Sequence, residues 1–213
     1  MTLRLVLFLL GNTWLMAISS PCVQGQPKQS TVATAAKRIC WQEGRRLEWG
    51  DFKAVKCYGE AGKHPSTVGA ATAVVVPVVG YVNAQGMSEY RVTCIFLRDS
   101  SWVNPRLTAP TDQRRTLAHE QLHFNIAELF ARKIRYRVAQ HRAAGDELFG
   151  PVVAQNIQCL LTEWDTLDDL YDEEVNFRPP AVEAAAQRRW ELRLARELRA
   201  LDRYKSTATT CPD

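Results

Sequence analysis

The sequence lacks the features that mark several large classes of protein. Its 213 residues carry a formal net charge of only +4, and acidic residues accompany the basic ones along most of the chain. A nucleic-acid-binding surface is therefore not expected. Hydrophobic residues make up 46% and charged residues 23% of the chain, which excludes an intrinsically disordered or low-complexity protein. No internal repeat is visible, so the composition indicates an ordinary globular protein.

No hydrophobic run near the N-terminus is long enough to span a bilayer. Arg4 precedes the six apolar residues 5–10, and this arrangement predicts a secretory signal peptide over residues 1–25. Residues 26–39 are polar and predict a tether. Cys22 raises the question of a lipoprotein anchor, but Pro21 directly before it disfavours that signal. We therefore expect a periplasmic or secreted protein with a cleaved signal peptide and no transmembrane helix in its mature form.

None of the six cysteines belongs to a CxxC pair, so a zinc ribbon or a thioredoxin-like redox motif has no support. Structural disulfides are the expected use of cysteine in an exported chain. Their connectivity does not follow from spacing. We favour a bond between Cys40 and Cys57, which would enclose the tryptophan-containing segment between them.

Two kinds of hydrophobic pattern follow the tether. Short alternating segments over residues 40–104 predict a small antiparallel sheet, and residues 90–97 alternate as one continuous strand. Longer helical periodicities over 111–205 are separated by the breakers Gly150-Pro151 and Pro179-Pro180, which predicts three helices. Strands followed by helices are typical of an α+β domain. We predict one domain over 40–205, β-rich over 40–104 and helical over 111–205, with a tail over 206–213.

The first predicted helix contains an HExxH sequence at residues 119–123. Residues four apart lie about 40° apart around a helix axis, so His119 and His123 point the same way and suit a zinc ion. Glu120 is about 100° from His119 and is placed to act as general base on a metal-activated water. So short a motif also arises by chance. The long helix, the expected export and the use of two of only four histidines favour the metal site.

A zinc site of this kind needs a third protein ligand, and three acids are candidates. Glu128 lies about 180° from His119 around the same helix, which predicts that it forms a salt bridge or orients another group. The second helix ends in acids, and an acid from a second helix is the arrangement of His₂Glu zinc peptidases. Glu174 is the preferred ligand, with Asp172 as the alternative. An acidic helix end without any ligand role is nearly as compatible with the sequence.

Several short segments occur in a characteristic order along residues 40 to 195. They are LEWGDF at 47–52, AAT at 70–72, SW at 101–102, HEQLHFNIAE at 119–128 with Arg132, YD at 171–172, and Gln187 with Trp190. In these segments the chain resembles an uncharacterised bacterial family described as predicted secreted zinc-dependent proteases. The resemblance implies zinc at His119 and His123, with Glu120 as the catalytic acid/base.

The chain departs from the pattern of that family at one place. Where relatives carry a Thr and then a His-Gly after the Tyr-Asp pair, this chain has Val175, Phe177 and Arg178. A loss of catalytic activity is therefore one expectation for this chain.

The main functional prediction is an exported zinc metallopeptidase with an α+β fold, in which a small antiparallel sheet precedes a zincin-like helical part. Its expected partners are peptide or protein substrates, held by an edge strand of the sheet through main-chain hydrogen bonds. Tyr171 is a candidate oxyanion donor, although a buried core tyrosine is the simpler interpretation. The alternative is a non-catalytic exported binding or scaffold module with a structural or degenerate metal site.

Overall fold

A computed structural model describes residues 37–55, 69–176, 179–207 and 210–211. The predicted signal peptide, Cys22, Cys57 and nearly all of the tether lie outside the described residues. Within them, short antiparallel strands precede three long helices. The α+β fold class predicted from the sequence is therefore confirmed.

The described strands form three small antiparallel sheets instead of the single sheet predicted from the sequence. The strands are β1 (Arg38–Cys40), β2 (Ala70–Ala71), β3 (Val74–Val75), β4 (Val78–Val82), β5 (Ser88–Val92), β6 (Ile95–Leu97) and β7 (Trp102–Val103). Their pairing orders are β1-β6-β3, β2-β7 and β4-β5. Pro77 lacks an N–H group and separates β3 from β4. The single strand predicted over 90–97 is divided between β5 and β6, because these two halves pair with different partners.

The helices are α1 (Pro110–Ala144), α2 (Pro151–Val175) and α3 (Pro180–Ala200). Each begins with a proline in its first turn, where the missing N–H costs no hydrogen bond. α1 ends at Gly145, whose φ of 79° is left-handed and favours glycine. No helix in the described ranges combines the length and hydropathy needed to cross a membrane.

α1 is the central element of the core. Its middle segment is buried against the sheets on one side and against α2 and α3 on the other. Phe124 packs on Phe96 of β6 with ring centroids 5.9 Å apart. Gln121 accepts a hydrogen bond from the Leu47 N–H at 2.7 Å, which ties the helix to the N-terminal segment. The HExxH sequence therefore lies in the most constrained part of the fold.

The predicted bond between Cys40 and Cys57 is wrong. Cys40 forms a disulfide with Cys211, and their Cα atoms lie 6.1 Å apart. The bond joins β1 to the C-terminal segment across 171 positions of sequence, a pairing that spacing alone does not reveal. Cys94 is a buried free thiol and Cys159 an exposed one. A disulfide is typical of proteins outside the cytosol.

A fully buried carboxylate joins α1 to the C-terminal segment. Glu128 accepts hydrogen bonds from Arg132 Nε at 2.9 Å and from Arg135 Nη1 at 3.4 Å. It also accepts from the backbone N–H of Ser206 at 2.9 Å and from the Ser206 hydroxyl at 2.6 Å. The salt bridge predicted for Glu128 is therefore confirmed, and its carboxylate is directed away from the histidines of HExxH.

We expect Glu128→Ala to lower the free energy of unfolding by about 3–5 kcal/mol, because it removes the buried carboxylate that pairs with the buried Arg132 guanidinium at 2.9 Å. Urea denaturation followed by circular dichroism measures this loss. Glu197→Ala is the matched control, since Arg193 and Glu197 form another i,i+4 pair with 40% and 27% of their side chains exposed. We expect the control to lose about 0–1 kcal/mol. Equal losses in the two variants would contradict the role assigned to burial.

Candidate metal centre

The two histidines of the HExxH sequence project from α1 toward α2. Their Nε2 atoms lie 3.0 Å apart. Asp172 of α2 places its Oδ1 atom 3.0 Å from His119 Nε2 and 3.0 Å from His123 Nε2. Three ligand atoms from two helices thus form a nearly equilateral triangle, and the three residues form a potential metal-binding cluster.

The dimensions of this triangle suit a small divalent cation. In a tetrahedral zinc site with bonds of about 2.0–2.1 Å, neighbouring ligand atoms are about 3.3 Å apart. The observed separations of 3.0 Å approach that value within a small movement of the side chains. Two imidazoles and one carboxylate are also a donor set that zinc accepts, and three protein ligands leave a fourth position open.

The acid that joins the histidines is Asp172, the alternative in the sequence analysis, and not Glu174. The Glu174 carboxylate instead accepts a hydrogen bond from Trp190 Nε1 of α3 at 2.8 Å. Two residues two positions apart lie about 200° apart around a helix, so only one of these acids can face α1. Glu128 also lies outside the cluster, as its contacts with arginines and Ser206 show.

A second carboxylate of α2 orients one of the histidines. Asp168 Oδ1 lies 2.8 Å from His123 Nδ1, and both side chains are buried. A carboxylate on the second ring nitrogen fixes the tautomer and the direction of a metal-binding imidazole. Asp168 was not predicted from the sequence. Its four-residue spacing from Asp172 matches that of the two histidines, but Asp169 and Glu173 have the same spacing, so the sequence alone does not single it out.

The charges around the cluster shift the pKa values of its members in opposite directions. Burial by itself lowers the pKa of His123, but the charges of Asp168 and Asp172 and their hydrogen bonds to the ring raise it well above its ordinary value. Burial raises the pKa of Asp172, but hydrogen bonds with His119 and His123 outweigh burial and hold the pKa far below its usual range. A metal ion must displace the proton that these carboxylates help His123 to hold, so metal binding depends on pH.

Glu120 has a free acceptor oxygen beside the cluster. Its side chain is 3% exposed, and its Oε2 atom has no hydrogen-bond partner among the described residues. A buried carboxylate oxygen without a donor is costly unless a ligand or water supplies one. Glu120 lines the same cavity as His119 and His123. A carboxylate in this position is able to accept a proton from a water in the cavity.

Tyr171 supports the histidines from the core side. Its ring stacks on His119 with centroids 4.7 Å apart, and its hydroxyl donates a hydrogen bond to Gln187 Oε1 at 2.6 Å. The residue is fully buried, and burial raises the pKa of its hydroxyl well above the ordinary value. These contacts favour a packing role for Tyr171 over a role as oxyanion donor.

A cavity of about 900 Å³ opens beside the cluster, with residues 69–72 on one wall and α3 on another. β2 pairs with β7 alone among the described strands. Asn104 N–H donates to Gly69 C=O at 2.7 Å, so the backbone groups of Gly69 and Ala71 face β7. Because these groups alternate along a strand, those of Ala70 and Thr72 face the opposite edge. The cavity therefore has a strand edge in its wall.

We expect Asp172→Ala to lose zinc nearly as completely as His119→Ala, because two remaining protein ligands rarely hold zinc tightly. Glu174→Ala is the control from the same helix, and it should keep zinc affinity while losing only its bond to Trp190. Titration of the purified variants with zinc against a competing chelator measures the zinc affinity of each variant. Loss of zinc from Glu174→Ala together with retention by Asp172→Ala would reverse the assignment of the third ligand.

A milder effect is expected at Asp168, which contacts His123 and not the metal position. Asp168→Asn should weaken zinc binding by about 10- to 100-fold, because a neutral amide orients and polarises the imidazole less well than a carboxylate. The same chelator competition gives the affinity. Asp169→Asn changes the neighbouring exposed residue and should leave affinity unaltered. An unchanged affinity in Asp168→Asn would argue against the orienting role.

Comparison with known proteins assigns the chain to no family. No protein-family model matches the chain, and neither a curated protein nor a solved structure matches it. The resemblance to predicted secreted zinc-dependent proteases remains a prediction from the sequence. The side chains of the site are therefore the evidence that bears on function.

Proposed function

We propose that this protein is an exported zinc-dependent peptidase with a zincin-like active site. One observation carries the proposal. A cluster of two histidines and one aspartate shares a cavity with a buried glutamate whose Oε2 atom has no partner among the described residues. A purely structural metal site needs ligands but no adjacent free base. The paired presence of both groups supports hydrolysis.

The residues of the cavity have distinct roles in this proposal. His119, His123 and Asp172 hold the metal, and Asp168 keeps the His123 ring in a fixed direction. A zinc ion bound by these ligands supplies a Lewis acid that activates water and polarises a carbonyl group. Glu120 accepts the proton of the attacking water and returns it to the leaving amine, so that it serves as general base and then as general acid.

The strand edge beside the cluster suits an extended peptide. The backbone groups of Ala70 and Thr72 face away from β7 and toward the side where no described strand pairs. A peptide that adds to such an edge is held by main-chain hydrogen bonds, which recognise any sequence. Thr72 lines the cavity, and its buried hydroxyl has no partner among the described residues.

Export is supported by two independent features. Residues 1–25 have the pattern of a secretory signal peptide, and the Cys40–Cys211 disulfide is typical of an oxidising compartment. The proposed location is the periplasm or the medium, where the substrates would be peptides or proteins.

We expect Glu120→Gln to retain zinc but to lower peptide hydrolysis by at least about 10²–10⁴-fold, because an amide cannot accept the proton of water. Mass spectrometry of a peptide mixture incubated with each protein measures hydrolysis. Glu163→Gln, an exposed position of α2, is the control for contaminating proteases from purification. Full activity in Glu120→Gln would refute the proposed base. Zinc binding without hydrolysis by the wild type would support the non-catalytic binding module instead.

A further inference from the structure

A second cavity, of about 620 Å³, adjoins the one that contains the metal cluster. Its apolar wall, named here the leucine groove, is built from α1, α3 and the N-terminal segment. The groove consists of Leu47, Leu117, Leu122, Leu192, Leu194 and Leu198. Ala118 and Glu191 line both cavities. The leucine groove thus shares part of its wall with the cavity of the proposed active site.

One leucine of the groove lies at the surface. Leu192 is 66% exposed, whereas Leu47, Leu122 and Leu194 are buried. Because the groove shares lining residues with the cavity of the proposed active site, the molecule that the proposed function supplies for it is the peptide substrate itself.

The spacing along α3 gives the distance between the two cavities. Residues 183–191 of α3 line the first cavity and residues 191–198 line the second. The midpoints of these segments are about 11 Å apart at a rise of about 1.5 Å per residue. An extended peptide advances about 3.3 Å per residue. A substrate that occupies both cavities therefore has about three residues between the centre of the first cavity and the groove.

Two arginines lie at the edge of the groove. Arg46 and Arg114 line it and are exposed, and neither forms an ion pair with another described residue. Two cations against one acid, Glu191, among the charged residues that line the groove favour a ligand that carries negative charge next to its apolar side chain.

We infer that the leucine groove binds a large apolar side chain of the substrate, about three residues from the scissile bond, and favours an acidic residue beside it. The inference rests on the proposed peptidase function and narrows its substrates. Backbone hydrogen bonds at β2 accept any sequence, so the groove supplies the selectivity that the strand edge lacks.

The cleavage profile of the wild-type protein tests this first. We expect a proteome-derived peptide mixture, analysed by mass spectrometry, to show leucine, isoleucine, methionine or phenylalanine enriched at about the third residue on one side of the cut bonds. For a synthetic peptide taken from that profile, leucine at this position should raise kcat/KM about tenfold over glycine, since a partly exposed groove removes only part of the side chain from water. Cleavage without any such positional preference would overturn the inference.

Matched variants distinguish an effect of the groove on selectivity from a general effect of changing an exposed leucine. Leu192→Ser should lower the ratio of kcat/KM for the leucine peptide to kcat/KM for the glycine peptide. Leu170→Ser is the control, because Leu170 is also exposed, at 38%, and lines neither cavity. Arg114→Gln should lower the preference for an acidic neighbour a fewfold, and salt should lower it in the wild type. Equal effects of Leu192→Ser and Leu170→Ser would contradict the assignment.

Binding gives a readout that does not depend on turnover. In the zinc-loaded Glu120→Gln background, fluorescence anisotropy should show tighter binding of the leucine peptide than of the glycine peptide. Adding Leu192→Ser should abolish that difference. A groove that instead joins two copies of the chain would appear as a change of oligomeric state in Leu192→Ser, and that result overturns the inference. Absence of any Glu120-dependent cleavage would overturn both the peptidase proposal and the inference about the groove. Cleavage without selectivity for leucine would overturn only the inference about the groove.

Discussion

The packing of α1 against α2 is the contact on which the candidate site depends. Each helix presents two polar side chains one turn apart, histidines on α1 and aspartates on α2, and the pairs meet face to face. Both histidine Nε2 atoms and the Nδ1 atom of His123 meet carboxylate oxygens when the helices are in register, which offsets part of the cost of burying these groups. A rotation of either helix by one residue would move its pair about 100° away. The site and the helix packing are thus one arrangement.

Local sequence signals predicted the features of the fold that depend on a few neighbouring residues, such as the ends of the helices. Pro151 and Pro180 stand where α2 and α3 begin, and Gly145 stands where α1 ends. The sheet was harder to predict, because strands of two to five residues take their identity from their partners. Residues 90–97 alternate without interruption, yet β5 and β6 belong to different sheets. No pattern within that segment encodes the exchange of partners.

The same distinction applies to the site. His119, Glu120 and His123 follow from one helix, since their relative directions are fixed by the helical turn. The acid from α2 depends on how far that helix is rotated, and the rotation is set by core residues such as Tyr171 and Trp190. Glu174 and Asp172 are therefore equivalent in the sequence and opposite in the fold. A pair of acids one turn apart matches the pair of histidines, but Asp169 and Glu173 share the spacing of Asp168 and Asp172, so the rotation of α2 decides which pair faces α1.

The attachment of the C-terminal segment makes the N-terminal part of the fold depend on residues far along the chain. Ser206 supplies two of the hydrogen bonds to Glu128, and Cys211 closes the bond to β1. A chain cut before Ser206 would keep the buried Glu128 carboxylate with part of its partners missing and β1 without its covalent tie. Because the disulfide also needs an oxidant, a reducing environment would leave β1 and the C-terminal segment unjoined.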